Sequence, residues 1–228
     1  KRLKHRMRPV LSYTYLVPQD EDVESPWFEP IDADSRENKI TFSFENYLNA
    51  RLENKKGGVS YHQWATLKLT QAYDIDEERR HTEPGEKRRP FEPLNATMRV
   101  QPLGNIDLLG QVNWDYYDKE ITKAGVSLDL FFKRSGGRKD TFEIDYVFER
   151  DIQETVSAEC ALNLAYGFSV GASIERDILL DKNISTGYWL GYDSQCWGVE
   201  LGAETDERDT TVMVLFKLLG LGNIKASN

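Results

Sequence analysis

The chain has 228 residues, with 29 Lys and Arg against 38 Asp and Glu and a formal net charge of -9. It lacks the surplus of clustered positive charge that phosphate binding needs, so nucleic acid is excluded as a partner. Hydrophobic residues make up 39% and the mean hydropathy is -0.59; no run approaches the roughly 18 apolar residues of a spanning helix, so a helical membrane protein is excluded as well. Membrane-spanning strands stay open, because only alternate residues of a segment of about ten need face lipid.

The length allows one domain or two, and nothing resembles a linker. The basic clusters Lys1 to Arg8 and Lys87 to Arg89 are flanked by turns or acids and are expected to be solvated ends. Lys1 opens the chain in mid-pattern without a methionine. That suggests a fragment whose export signal lies upstream, against a cytosolic alternative that the repeated outward aromatics disfavour.

In chain order, apolar and polar residues alternate in roughly twelve segments bounded by Gly, Asn, Asp and charged turns, with no convincing helical period. The first strand is expected near Arg8 to Val17, with Pro9, Leu11, Tyr13, Tyr15 and Val17 on one face. An acidic loop, Gln19 to Asn38, follows, carrying Trp27 and Phe28, which could pack over a barrel mouth. Lys39 to Leu52 puts Ile40, Phe42 and Phe44 on one face and Thr41, Ser43 and Glu45 on the other. Further on, Leu94, Ala96, Met98 and Val100 share a face, as do Ile106, Leu108, Val112, Trp114 and Tyr116. The same holds for Ala124 to Phe132, Phe142 to Phe148, and Val156, Ala158, Cys160, Leu162 and Leu164. Opposite them stand Asn95, Thr97, Arg99, Asp107, Asn113, Asp129, Glu143, Asp145 and Glu149.

The last stretch, Ser185 to Asn228, breaks into three segments: Tyr188, Leu190 and Tyr192, then Trp197, Val199, Leu201 and Ala203, each opposite small and acidic residues, and a final strand near Asp209 to Leu218. Short turns at Glu53 to Gly58, Pro102 to Asn105, Lys133 to Lys139, Ala165 to Gly167 and Asp193 to Gln195 alternate with the other connections, the longest being Gln19 to Asn38 and Asp74 to Pro90. The pattern predicts an all-β, antiparallel transmembrane β-barrel meander: one face hydrocarbon, the other a wet lumen, viable in lipid only when closed. Tyr13, Tyr15, Trp114, Tyr116, Tyr188, Tyr192 and Trp197 fall near expected strand ends, as interfacial rings do.

The words GYDSQCWGVEL and LFKLLGLGNI resemble the end of the LPS-assembly protein LptD family, and RPVLSYTYLVP, LTQAYDI, RPFEPL and VQPLGNIDL upstream resemble it too. The resemblance implies that residues 1–228 are the C-terminal portion of a larger barrel domain of about 26 strands. It implies a location in the outer membrane of a Gram-negative bacterium. Its function would be lipopolysaccharide insertion into the outer leaflet, through a lumen and a lateral gate. The partners implied are lipopolysaccharide, an LptE-type lipoprotein plug, outer-membrane lipid, and the N-terminal half and periplasmic domain of the same protein. In that frame Thr210, Thr211, Val212, Met213, Val214, Leu215 and Phe216 are the gate edge, Glu143, Asp145, Glu200 and Glu204 face the lumen, and Cys196 is bridged by a disulfide to the N-terminal region. Many members have two adjacent cysteines where this chain has Gln195 and Cys196, so one bridge carries over; a buried free thiol is the alternative. A diffusion porin is the second functional reading and a soluble all-β binding module the third.

Chemistry of other kinds finds little support. His5, His62 and His81 stand apart without metal-ligand spacing, the serines lack a nucleophile elbow, and evenly spread carboxylates fit a wet wall better than a hydrolase dyad. No metal, no cofactor and no enzymatic activity are expected.

Overall fold

Residues of alternating polarity give a strand two unlike faces, and this alternation governs the architecture. The structure, a computed structural model, describes residues 2–17, 36–53, 57–102, 104–134 and 137–218. Among them twelve antiparallel strands follow in chain order. They are β1 (Arg2–Leu16), β2 (Glu37–Glu53), β3 (Val59–Asp74), β4 (Leu94–Val100), β5 (Ile106–Asp115), β6 (Glu120–Lys133), β7 (Lys139–Glu149), β8 (Gln153–Asn163), β9 (Phe168–Asp177), β10 (Lys182–Asp193), β11 (Trp197–Asp206) and β12 (Thr210–Leu218). The strand order in the sheet is the chain order, β1 to β12. The chain divides into two units, Lys1–Met98 with Gln111–Thr122, and Arg99–Gly110 with Lys123–Asn228.

In the first unit β1 pairs with β2 from Arg2 opposite Arg51 to Leu16 opposite Glu37, and β2 with β3 from Lys39 opposite Asp74 to Glu53 opposite Val59. The basic cluster Arg2 to Arg8 is exposed as expected, but as part of an edge strand and not as a loose end. Its charges conceal the alternation of Leu3, Met7 and Leu11 on the other face. A short helix, α1 (Ile75–Arg79), follows β3; the Asp74 carboxylate accepts from the N–H groups of Asp76 at 2.9 Å and Glu77 at 3.0 Å. The chain then returns: Asp74 N–H donates to Pro90 at 2.7 Å, and Phe91 meets Tyr73 at 5.0 Å and Tyr116 at 6.0 Å between ring centres.

In the second unit each strand from β6 to β12 pairs with its sequence neighbour, and tight turns allow this. Asp177 and Asp206 close two of them by accepting backbone N–H groups, from Leu180 at 2.9 Å and from Arg208 and Asp209 at 2.7 and 2.8 Å. Buried Asp140 anchors the β6–β7 connection, accepting from Arg134 and from Asn163 N–H.

The transmembrane barrel is not formed. β1 and β12 stand at the two ends of the strand order, each bonded to one neighbour, and no pairing joins them. Alternation reports that a sheet has two unlike faces; it carries no information about whether the first and last strands meet. No described helix is long and apolar enough to cross a membrane, which bears on helices alone. Trp27, Phe28 and the closing GLG run lie outside the described residues.

Burial is inverted relative to a soluble sheet. Large apolar side chains on the apolar face are exposed, among them Leu11, Phe42, Ile144, Tyr188, Leu190, Leu201 and Phe216, whereas Asn38, Ser43, Glu45 and Asp140 are buried. Ala50 and Ala72 are the buried hydrophobic residues among those described. Polar residues hold the polar face together. Buried Glu45 lies between Arg8 and Lys68 on neighbouring strands and accepts from Tyr47 Oη at 2.6 Å and Arg8 Nε at 2.7 Å. The Tyr47 hydrogen bond, then the Arg8 charge, lower its carboxyl below the ordinary range.

The second unit treats the equivalent position differently. Glu143 stands directly between Asp129 on β6 and Glu159 on β8. Partial burial, then the charges of Asp129, Glu159 and Asp145, push its carboxyl up. A raised carboxyl holds its proton more tightly folded than unfolded. Its contribution to stability is thus full below the ordinary glutamate value and is lost as pH rises through the folded value. Glu143→Gln is expected to stabilise the chain at neutral pH by less than about 1 kcal/mol and to change nothing in acid, as paired thermal melts would show. A larger gain in acid than at neutral pH would contradict this.

Candidate interaction surface

The candidate surface is the end of the second unit, where β10, β11 and β12 present both an open apolar face and an open edge. On the apolar face Tyr188 pairs with Ala203 and Ala203 with Val212; Leu190 pairs with Leu201 and Leu201 with Val214; Tyr192 pairs with Val199 and Val199 with Phe216. These three cross-strand rows form a continuous apolar strip. Val212, Val214 and Phe216 are 65%, 56% and 73% exposed, because no strand lies beyond β12 among the described residues.

β12 is unusual in also being apolar on the face that is polar elsewhere. Met213 and Leu215 stand there, opposite Gly202 and Glu200, and Lys217 is the strand's single charge, held by Glu200 at 2.6 Å. The strand contains no proline and no glycine. β1, at the other end of the order, is built differently. Pro9 removes one backbone donor, and Arg2, Lys4, Arg6 and Arg8 occupy alternate positions of one face. One edge is shielded against pairing and the other is bare.

The remaining sequence-predicted site residues are scattered. Thr210 to Phe216 lie on β12. Glu143 and Asp145 on β7 and Glu200 and Glu204 on β11 share the polar face, but three strands lie between the two pairs, four strand spacings or about 19 Å. With no closed barrel they line no lumen. Both cysteines are free: Cys196 is exposed beside the Ser194–Gln195 turn, and Cys160 lies mid-strand opposite Phe142 and Ala172. Cys196 pairs with no cysteine of this chain; the expected bridge runs to a region outside it. Among the described residues no three His, Cys, Asp or Glu side chains are placed to hold a metal ion.

The aromatics cluster at strand ends through contacts with one another. Tyr13 stacks on Tyr15 with ring centres 6.4 Å apart, Trp114 meets Tyr116 at 4.7 Å, and Tyr192 meets Phe168 at 4.9 Å and Trp197 at 5.5 Å. Tyr188 is an exception, in the middle of β10 rather than at its end.

No family model and no curated protein matches this chain. With no match and no closed barrel, the resemblance to LptD is not supported. The lipopolysaccharide translocon, the diffusion porin and the outer-membrane location fall with it. The motifs that suggested the family are short strand words rich in Tyr, Leu and Gly, which any amphipathic meander uses. Sequence reasoning missed the contrast between the two edges, although the signal was present: a nine-residue apolar strand with one lysine at one end of the chain, and four alternate basic residues at the other.

Proposed function

We propose that this chain is an all-β interaction module that captures a further extended segment along β12. The observation that carries it is β12 itself: nine residues, paired on one side, exposed, apolar on both faces and free of proline. An edge of that kind offers a row of free backbone donors and acceptors, and its alternating side chains select the segment that joins. The matching segment is apolar at alternate positions, so that it extends the strip of Val212, Val214 and Phe216.

The β12 sequence meets that requirement. Antiparallel pairing about Val214 sets Val212 opposite Phe216 and Thr211 opposite Lys217, with no like charges facing. A synthetic peptide copying Thr210 to Leu218 is therefore expected to slow hydrogen exchange at alternate amides of β12 and to leave those of β7 unchanged. Unaltered exchange along β12 at saturating peptide would end the proposal.

A second reading rests on the inverted burial. The apolar face takes the hydrocarbon of an amphiphile, since exposing so much apolar surface to water is unfavourable by about 25 cal/mol per Å². The two readings are compatible, because strand addition widens the face but does not cover it.

A further inference from the structure

The polar face of the second unit holds a recess of about 520 Å³ over Gly187 and Gly202, walled by Trp189 of β10 and by Met213 and Leu215 of β12. Trp189 is on the polar side of β10, between Gly171 of β9 and Gly202 of β11. Its Nε1, Cε2 and Cζ2 atoms are the three nearest to the point where a Cβ on Gly171 would lie, at almost equal distances. The Nε1, Cε2 and Cζ2 edge of the indole therefore fills the space above Gly171 that a side chain would take. Any larger residue at 171 would evict it.

Beside the ring, Ser173 lies next to Gly187, and Gly187 next to Glu204. The Ser173 hydroxyl oxygen sits over Gly187, so this second floor position is also low. Neither the Ser173 hydroxyl, the Glu204 carboxylate nor Trp189 Nε1 has a hydrogen-bond partner among the described residues. The nearby Glu200, by contrast, is neutralised by Lys217 at 2.6 Å.

We propose that this recess is a saccharide site, in which a neutral pyranose ring stacks its C–H face on Trp189 while its hydroxyls meet Ser173 and Glu204. Trp189, with Met213 and Leu215 across the recess, offers apolar surface beside a ring donor, which suits a molecule that is apolar on its faces and hydroxylated around its rim. Glu204 accepts from hydroxyls, Ser173 both donates and accepts, and Trp189 Nε1 donates. An organic cation is the competing occupant, but cation recognition gains most from several rings around a desolvated charge, and here one ring faces an open recess. The recess borrows Met213, Val214 and Leu215 of β12, but it is read through the Trp189 indole and not through β12 exchange, so failure here and failure of edge pairing are distinguishable.

The test uses the full chain labelled with 15N at its tryptophans, the Trp189 indole signal being assigned by its loss in Trp189→Phe. Maltohexaose and cellohexaose are titrated separately, with spermine as a third titrant. Saturable movement of the Trp189 signal with at least one of the sugars is expected, weakened at least tenfold in Glu204→Gln and in Ser173→Ala. Gly171→Ala should abolish it, with the other indole signals in place to show that the fold persists. A stationary Trp189 signal with both sugars overturns the proposal, and so does movement with spermine alone.

Discussion

Proline at one of two adjacent positions, Met213 or Val214, should abolish capture of the β12 peptide while leaving the chain folded. In an antiparallel pair, successive residues of a strand direct their backbone groups to opposite sides, so one of these two N–H groups bonds β11 and the other points away from the sheet. Removing the inward donor breaks a ladder bond and clashes, costing about 3 kcal/mol of stability. Removing the outward donor costs the folded chain little, since edge strands tolerate proline there. It does deprive an arriving segment of a bond and places a ring in its path. The expected result is thus asymmetric: one variant melts early, and the other melts like the parent but binds the peptide at least tenfold more weakly. Thermal melts and peptide titrations on both variants check it, and equal peptide affinity in the parent and both folded variants would refute strand addition.

Leu190→Lys combined with Leu201→Lys should suppress association with dodecyl maltoside micelles. The two residues face each other across β10 and β11 on the apolar face, 48% and 50% exposed, with Val214 completing their row. Burying a leucine in hydrocarbon contributes about 2 kcal/mol, and an ammonium in its place adds a desolvation cost, so the pair should lower affinity by more than a hundredfold. Lysine at the same depth on the polar face, for instance Ser157→Lys on β8, should leave micelle association intact. Equal micelle binding by parent and double variant, measured by sedimentation at matched density, would remove the hydrocarbon reading and leave strand addition untouched.

Much of the fold was legible in the sequence because period-two alternation is a local property. Ile144, Leu190 and Val214 announce their face through their immediate neighbours, and the turn aspartates Asp177 and Asp206 mark where strands end. Three features were not legible, for distinct reasons. Charged residues at Lys4 and Arg6 hid the start of β1, because an edge strand carries charge where a central one cannot. The helix α1 is five residues long, too short to display a period. Closure depends on how strands β1 and β12 meet across the whole chain, which no window of neighbouring residues contains.

The candidate surface was legible in part. Thr210 to Phe216 stood out as a strand, but its meaning was borrowed from a family that the chain does not match. The Trp189 recess was invisible, because a tryptophan on the polar side of an alternating strand reads as an irregularity until Gly171 is found beneath it.

The basic stripe of β1 has a consequence for stoichiometry. Sheets that grow by their edges run on into fibrils when both edges are adhesive. Here a second copy joining through β12 would leave a β1 at each outer limit of the doubled sheet, where Arg2, Lys4, Arg6 and Arg8 of one molecule would face their counterparts on the next. Pro9 adds a gap in the backbone ladder at the same place. Polymerisation would therefore terminate itself after one step, and a chain with those four positions neutralised would be the one that forms fibres.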